Sequence, residues 1–157
     1  MVREHIEKIP ARREDSHKGD YGRVLVLGGS PGLTGAAYLA SQAAVRSGSG
    51  LVTCGIPGSL NHIMEVKLTE VMTLPLEENG NRCMGSKAKR RILEFAGRCD
   101  VVALGPGMGS DEETRELVRE LLEEIDVPVV LDADGINALE GRIDPLRERK
   151  AGTVVTP

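Results

Sequence analysis

Short apolar runs punctuate the chain at 24–27, 51–56, 70–74, 100–104, 127–131 and 153–155. Each is bounded by glycine, proline or polar residues and most are rich in valine, which predicts short, buried strands. The intervals between them carry a longer period. Residues 35–47 predict a helix dense in small side chains (Ala36, Ala37, Ala40, Ala43, Ala44), suited to close approach to a sheet or a ligand. Residues 86–96 place Ala88, Ile92 and Ala96 on one helical face. Leu117, Leu121 and Ile125, with Val118 and Leu122 beside them, form the stripe of a further helix. Ser110, three residues before Glu113, predicts a capping box at its start. Shorter helices are expected at 59–67 and 132–139, and a loop at 79–81.

Strand and helix alternate at spacings that suit right-handed βαβ crossovers, so the expected fold is α/β with a mostly parallel sheet. Ligands of such sheets bind outside the carboxyl ends of the strands. Three strands here end in polar or glycine-rich turns, after Leu27, Leu104 and Leu131, and those ends are expected to converge on one crevice. The last strand, 153–155, is followed by Thr156-Pro157, where the sequence stops, so it is expected to be either a sheet edge or part of the front portion of a larger domain.

Composition narrows the class. The chain has 157 residues, 40% hydrophobic and 28% charged, as for one globular domain. Its aromatics are Tyr21, Tyr38 and Phe95, so the core must rest on aliphatic side chains. A net charge of −4 argues against nucleic acid as a partner. No apolar run approaches the ~18–20 residues that span a bilayer, and Met1-Val-Arg-Glu-His5 lacks the apolar segment of a secretory signal. Cys54, Cys83 and Cys99 lack metal-ligand spacing. A cytoplasmic protein with three unremarkable thiols is expected, with residues 1–16 as a polar N-terminal arm containing a short helix before Pro10.

Candidate chemistry gathers at the strand ends. Val24 to Leu27 empties into Gly28, Gly29, Gly32 and Gly35, and then into the small-residue helix. A strand, glycine loop and helix aim backbone N–H groups and the positive end of a helix dipole at an anion. This loop has neither the dinucleotide fingerprint nor a Walker A lysine, and a purely steric turn stays open. Gly105-Pro-Gly-Met-Gly109 points more strongly to binding, because three glycines around a stiff proline admit a ligand close to the backbone. Asp132 and Asp134 follow a strand: one is a candidate N-cap, and the pair could also hold magnesium, a ligand or water, with Asn137 one turn on. His17 and Lys18 could reach a phosphate over the first strand. The basic residues Lys87, Lys89, Arg90 and Arg91 read as a solvated helix face, and His5 and His62 show no partner pattern.

Taken together these blocks resemble the NAD(P)H-hydrate dehydratases, a carbohydrate-kinase-like family on the ribokinase-like three-layer α/β/α fold. The resemblance rests on His17-Lys-Gly-Asp-Tyr-Gly22, Gly28-Gly-Ser-Pro-Gly-Leu-Thr-Gly-Ala36, Arg46-Ser-Gly-Ser-Gly-Leu-Val52, Gly105-Pro-Gly-Met-Gly109 and Leu131-Asp-Ala-Asp-Gly-Ile-Asn137, in that order. Thr156-Pro157 resembles the opening of a further Thr-Pro-His-Pro-Gly-Glu element. The resemblance implies that residues 17–157 are the front half of such a domain, the fold being C-terminally incomplete. It implies dehydration of hydrated NADH and NADPH (NADHX, NADPHX), with ADP or ATP as co-substrate and Mg2+ beside it. Substrate contact falls to Gly35, Ala36, Gly105, Gly107 and Gly109. Lys18, Asp132 and Asn137 fall near the nucleotide or its phosphate, with Asp132 favoured over Asn137. No catalytic residue is assigned: the family's nucleotide loops, Gly-x-Gly-Asp anion hole, catalytic aspartate and substrate-contacting histidine lie beyond the position of Pro157.

Relatives are commonly symmetric oligomers and an unfinished sheet favours association, so a homo-oligomer is expected. Two other functions fit the same blocks: a small-molecule kinase for a sugar or vitamin precursor, and a non-catalytic ligand-binding module. Phosphorylation of a stable alcohol without elimination would mark the first, and a stand-alone chain of 16.8 kDa the second.

Overall fold

A computed structural model describes residues 13–157. Of the expected N-terminal arm, residues 1–12, including the helix before Pro10, lie outside the described residues. Six strands form one sheet: β1 (Arg23–Leu27), β2 (Leu51–Pro57), β3 (Met72–Leu76), β4 (Val101–Leu104), β5 (Val129–Asp132) and β6 (Thr153–Thr156). Their order is β3-β2-β1-β4-β5-β6 and every neighbouring pair is parallel. The expected "mostly parallel" sheet is therefore wholly parallel. An isolated antiparallel bridge between Glu78 and Met84 lies outside it.

Six α-helices connect these strands: α1 (Thr34–Arg46), α2 (Asn61–Lys67), α3 (Lys89–Ala96), α4 (Glu112–Glu124), α5 (Asp134–Asn137) and α6 (Asp144–Arg147). Right-handed crossovers decide which face each covers. The chain steps from β1 outward through β2 to β3, then returns to β4 and steps the other way. Helices of the first run therefore lie on one face and those of the second run on the other. The side chains agree. On the first face Val26, Val52, Cys54 and Ile56 pack with Ala37 of α1 and Met64 of α2. On the second, Leu25, Leu27, Val102, Leu104 and Leu131 pack with Ile92 of α3 and Leu117, Leu121 and Leu122 of α4.

β3 starts and ends two residues later than its sequence suggests. β3 runs through Pro75, opposite Ile56, and it is an edge strand, where proline is tolerated. The capping box is also corrected. Asp111, not Ser110, caps α4: its carboxylate accepts from the N–H groups of Glu113 (3.1 Å) and Thr114 (3.3 Å). Glu113 turns away and accepts from the N–H and hydroxyl of Ser86.

The basic residues at the start of α3 face solvent, with Lys89 paired to Glu120 and Glu124 of α4 at 3.2 and 2.6 Å. All three cysteines are buried and free, and burial pushes the Cys54 thiol up to about 11. Among the described residues no helix is long and apolar enough to cross a membrane.

Candidate functional site

The order of the strands fixes where a ligand can enter. β1 and β4 are neighbours whose outgoing chains leave toward opposite faces, so the space above their carboxyl ends is left open. Both glycine loops end there. Gly29 donates its N–H to the Pro106 carbonyl (2.9 Å), and the buried Ser30 hydroxyl donates to the Gly107 carbonyl (3.0 Å).

Gly107 has φ +66, and a methyl group on it would stand 2.6 Å from the Leu33 carbonyl and 3.0 Å from the Ala36 side chain. Only glycine fits there without moving one loop off the other. Gly35 and Ala36, at the start of α1, thus lie beside the 105–109 loop on a shared crevice. Gly35 is exposed, with nothing within 4 Å of where a side chain would project. No side chain caps the first turn of α1, so its helix dipole adds positive potential to the crevice. Lys67, at the end of α2, donates to the Thr34 hydroxyl at 3.3 Å and adds a full charge beside that turn.

The third expected element also arrives. Asp132 ends β5 in register with Thr156 of β6, and its Oδ1 accepts from the Thr156 hydroxyl at 2.8 Å. Neither Asp132 nor Asp134 is the N-cap of α5; that position belongs to Ala133, at φ 44 and ψ −106. A non-glycine residue there carries strain on the order of 1–3 kcal/mol. Asp134 accepts from the Gly109 N–H on Oδ2 (2.9 Å) and from the Asn137 side-chain amide on Oδ1 (3.2 Å). Asn137 is therefore turned onto Asp134. Among the described residues no group of three or more His, Cys, Asp or Glu side chains gathers as a metal site.

Lys18 is not brought to this crevice. It lies in a 3-10 turn (Lys18–Tyr21) ahead of β1, and its carbonyl packs against Gly50 at the entry to β2. That is the amino-terminal edge of the sheet, the far side from the glycine loops. His17 lies with it, holding Asp20 by its backbone N–H at 3.0 Å. His62 is exposed on α2. Sequence reasoning passed over Ser30, Lys67 and the hold of Asp134 on Gly109. Ser30 sits inside the glycine block and could have been suspected; Lys67 reaches the crevice only through the packing of α2 beside α1.

Comparison with known proteins decides the family. The sequence profile of the carbohydrate-kinase-type NAD(P)H-hydrate dehydratases matches residues 24–157. The chain belongs to that family. It is 44% identical over 150 residues to the bifunctional NAD(P)H-hydrate repair enzyme Nnr of Moorella thermoacetica, covering 96% of this chain and 28% of that enzyme. The Salinibacter ruber enzyme of the same name is 41% identical over 150 residues, with 94% and 28% covered. The ADP/ATP-dependent NAD(P)H-hydrate dehydratase of Bacillus subtilis, co-crystallised with ATP and Mg2+, superposes with a TM-score of 0.72 at 30% identity. The match covers 98% of this chain and 50% of that one. A ribokinase-like protein of Enterococcus faecalis superposes with a TM-score of 0.77 at 22% identity, covering 97% and 50%, and shows the ribokinase-like fold. The chain thus spans about a quarter of the curated repair enzymes and half of the B. subtilis dehydratase.

Proposed function

We propose that this chain is the substrate-binding portion of a nucleotide-dependent NAD(P)H-hydrate dehydratase, taking NADHX or NADPHX in the crevice between the two glycine loops. The observation that carries this reading is the packing of Gly107 against Leu33 and Ala36, which joins the first turn of α1 to the 105–109 loop. Backbone amides of such a cradle suit a carboxamide or pyrophosphate, and the small side chains of Gly35 and Ala36 leave room for a flat ring. The uncapped start of α1 and the Lys67 ammonium supply positive potential for phosphate.

ADP or ATP is the proposed co-substrate, with Mg2+ beside its phosphates. Of the residues described, Asp132 fits the metal: Oδ1 is held by Thr156, while Oδ2 has no hydrogen bond. Magnesium takes one or two protein carboxylates and completes its shell from phosphate and water. Bound there, it would neutralise charge on the phosphates. Asp134 fits less well, since both its oxygens are occupied. The base that activates the substrate hydroxyl is assigned to none of these side chains. The chain's own contribution is to bind and orient. A cytoplasmic location and a homo-oligomeric assembly complete the proposal.

The test pairs binding with turnover. NADPH binding by fluorescence is expected for this chain alone. Conversion of NADHX to NADH with ADP or ATP and Mg2+ is expected once the chain is fused to the remaining half of the B. subtilis dehydratase. Absence of both would sink the reading; phosphorylation of a sugar or vitamin alcohol by the fusion would favour the kinase.

A further inference from the structure

The 105–109 loop is held at its near end by the β1–α1 loop, through Gly29 and Ser30, and at its far end by one side chain, Asp134. We infer that Asp134 is a positioning residue for this loop, fixing Gly109 so that the loop's backbone meets the ligand in a preset shape. The inference rests on the crevice being the nicotinamide site.

The geometry separates this role from ordinary helix capping. An acidic residue at the first position of a helix commonly serves that helix's own N–H groups. Here the Ile136 and Asn137 N–H groups are taken by the Ala133 carbonyl at 3.0 Å each, and the Asp134 carboxylate reaches out of α5 instead. Oδ2 takes the Gly109 N–H, and Oδ1 takes the Asn137 amide, which leaves the carboxylate little freedom to rotate.

Ala133 explains how the carboxylate comes to face the loop. Were β5 to continue as a strand, residues 132 and 134 would point to the same side. The left-handed φ of 44 at Ala133 breaks that relation, sending Asp132 to Thr156 of β6 and Asp134 across β4 to Gly109. Gly135 completes the junction: a methyl group on it would stand 2.7 Å from the Leu104 carbonyl, so the β5–α5 segment lies directly against the root of the glycine loop. A strained turn, a close backbone approach and a charge-assisted hydrogen bond serve one contact.

Amide hydrogen exchange by NMR, joined to NADPH affinity, tests this on the 157-residue chain. In Asp134→Ala, Gly109 is expected to exchange about tenfold faster, as loss of a charge-assisted bond implies, and NADPH affinity to fall about tenfold. The amides of Leu25 and Leu104 in the sheet are expected to keep their protection. Asp134→Asn retains one carbonyl acceptor and is expected to recover most of both losses; it also carries the test if the alanine variant does not fold. Unchanged Gly109 exchange in both variants overturns the inference, as does faster exchange with unchanged affinity. Failure of the parent chain to bind NADPH would remove the crevice reading, and Gly109 exchange alone would then decide whether Asp134 holds the loop.

Discussion

Two halves of one sheet, written in much the same residues, have different surroundings. β2 reads Leu-Val-Thr-Cys-Gly-Ile-Pro and is buried from Val52 to Pro57, covered by α1 and α2 on one face and by the α3 side of the core on the other. β4 (Val-Val-Ala-Leu) and β5 (Val-Val-Leu-Asp) are as apolar, yet burial alternates along each. Val102, Leu104, Val129 and Leu131 lie under α4, while Val101, Ala103 and Val130 are half-buried. With Val24, Val26, Ala40, Ala44 and Pro106 these half-buried residues line an apolar hollow of about 500 Å3 that ends at Asp132 and Thr156. Apolar sequence marks a strand, but the hand of the crossovers decides which strands are covered twice.

Substitutions along single strands sharpen that contrast. Leu104→Ala, wholly buried beneath α4, is expected to cost about 3–4 kcal/mol by urea unfolding. Val154→Thr, on β6 with 60% of its surface exposed, is expected to change stability by less than about 0.5 kcal/mol. A cost at Val154 near that at Leu104 would mean that the first face is covered over β4 to β6 as well.

Between these extremes stands the loop that follows β3 and is tied by hydrogen bonds to the start of α4. The Asn79 and Asn81 side-chain amides donate to the two oxygens of Asp111 at 2.8 and 2.7 Å, so the cap of α4 also fastens the 79–81 loop. Asp111→Ala is expected to cost about 1–2 kcal/mol, a lost cap plus two lost partners. The hydrogen bond from Asn81 leads in holding the Asp111 carboxyl below its ordinary value. A carboxylate depressed in the folded state stabilises above its unfolded pKa and loses that stabilisation as pH falls through the folded one. Native-state exchange is therefore expected to loosen residues 79–81 below about pH 4, ahead of the sheet. Equal loosening in Asp111→Ala would contradict this.

Much of this architecture was legible in the residues. The six strands and the larger helices follow from short valine-rich runs and the 117–121–125 stripe, and the meeting of Gly35 with Gly107 from their places after β1 and β4. What stayed hidden depends on neighbours remote in sequence. Proline is disfavoured inside a strand, and β3 holds Pro75 because it is an edge, which nothing local in the sequence says. Asp111 outcompetes Ser110 as a cap because Asn79 and Asn81 orient it from another loop. Lys18 precedes β1 in a motif that suggests a phosphate, yet a strand carries its two ends to opposite edges of the sheet, and Lys18 lies at the far one. Asp134 looked like a helix cap until the backbone turn at Ala133 sent its carboxylate to Gly109.

One shared crevice at the carboxyl ends of β1 and β4 is where the proposed ligand binds. Titrating NADPH into the isotope-labelled chain and following backbone amide shifts tests it most directly. Saturable shifts centred on Gly35, Ala36, Gly107 and Gly109 are predicted, with Lys18 and Gly50 at the opposite edge left unmoved; shifts that spare both glycine loops, or cluster at that opposite edge, would contradict it.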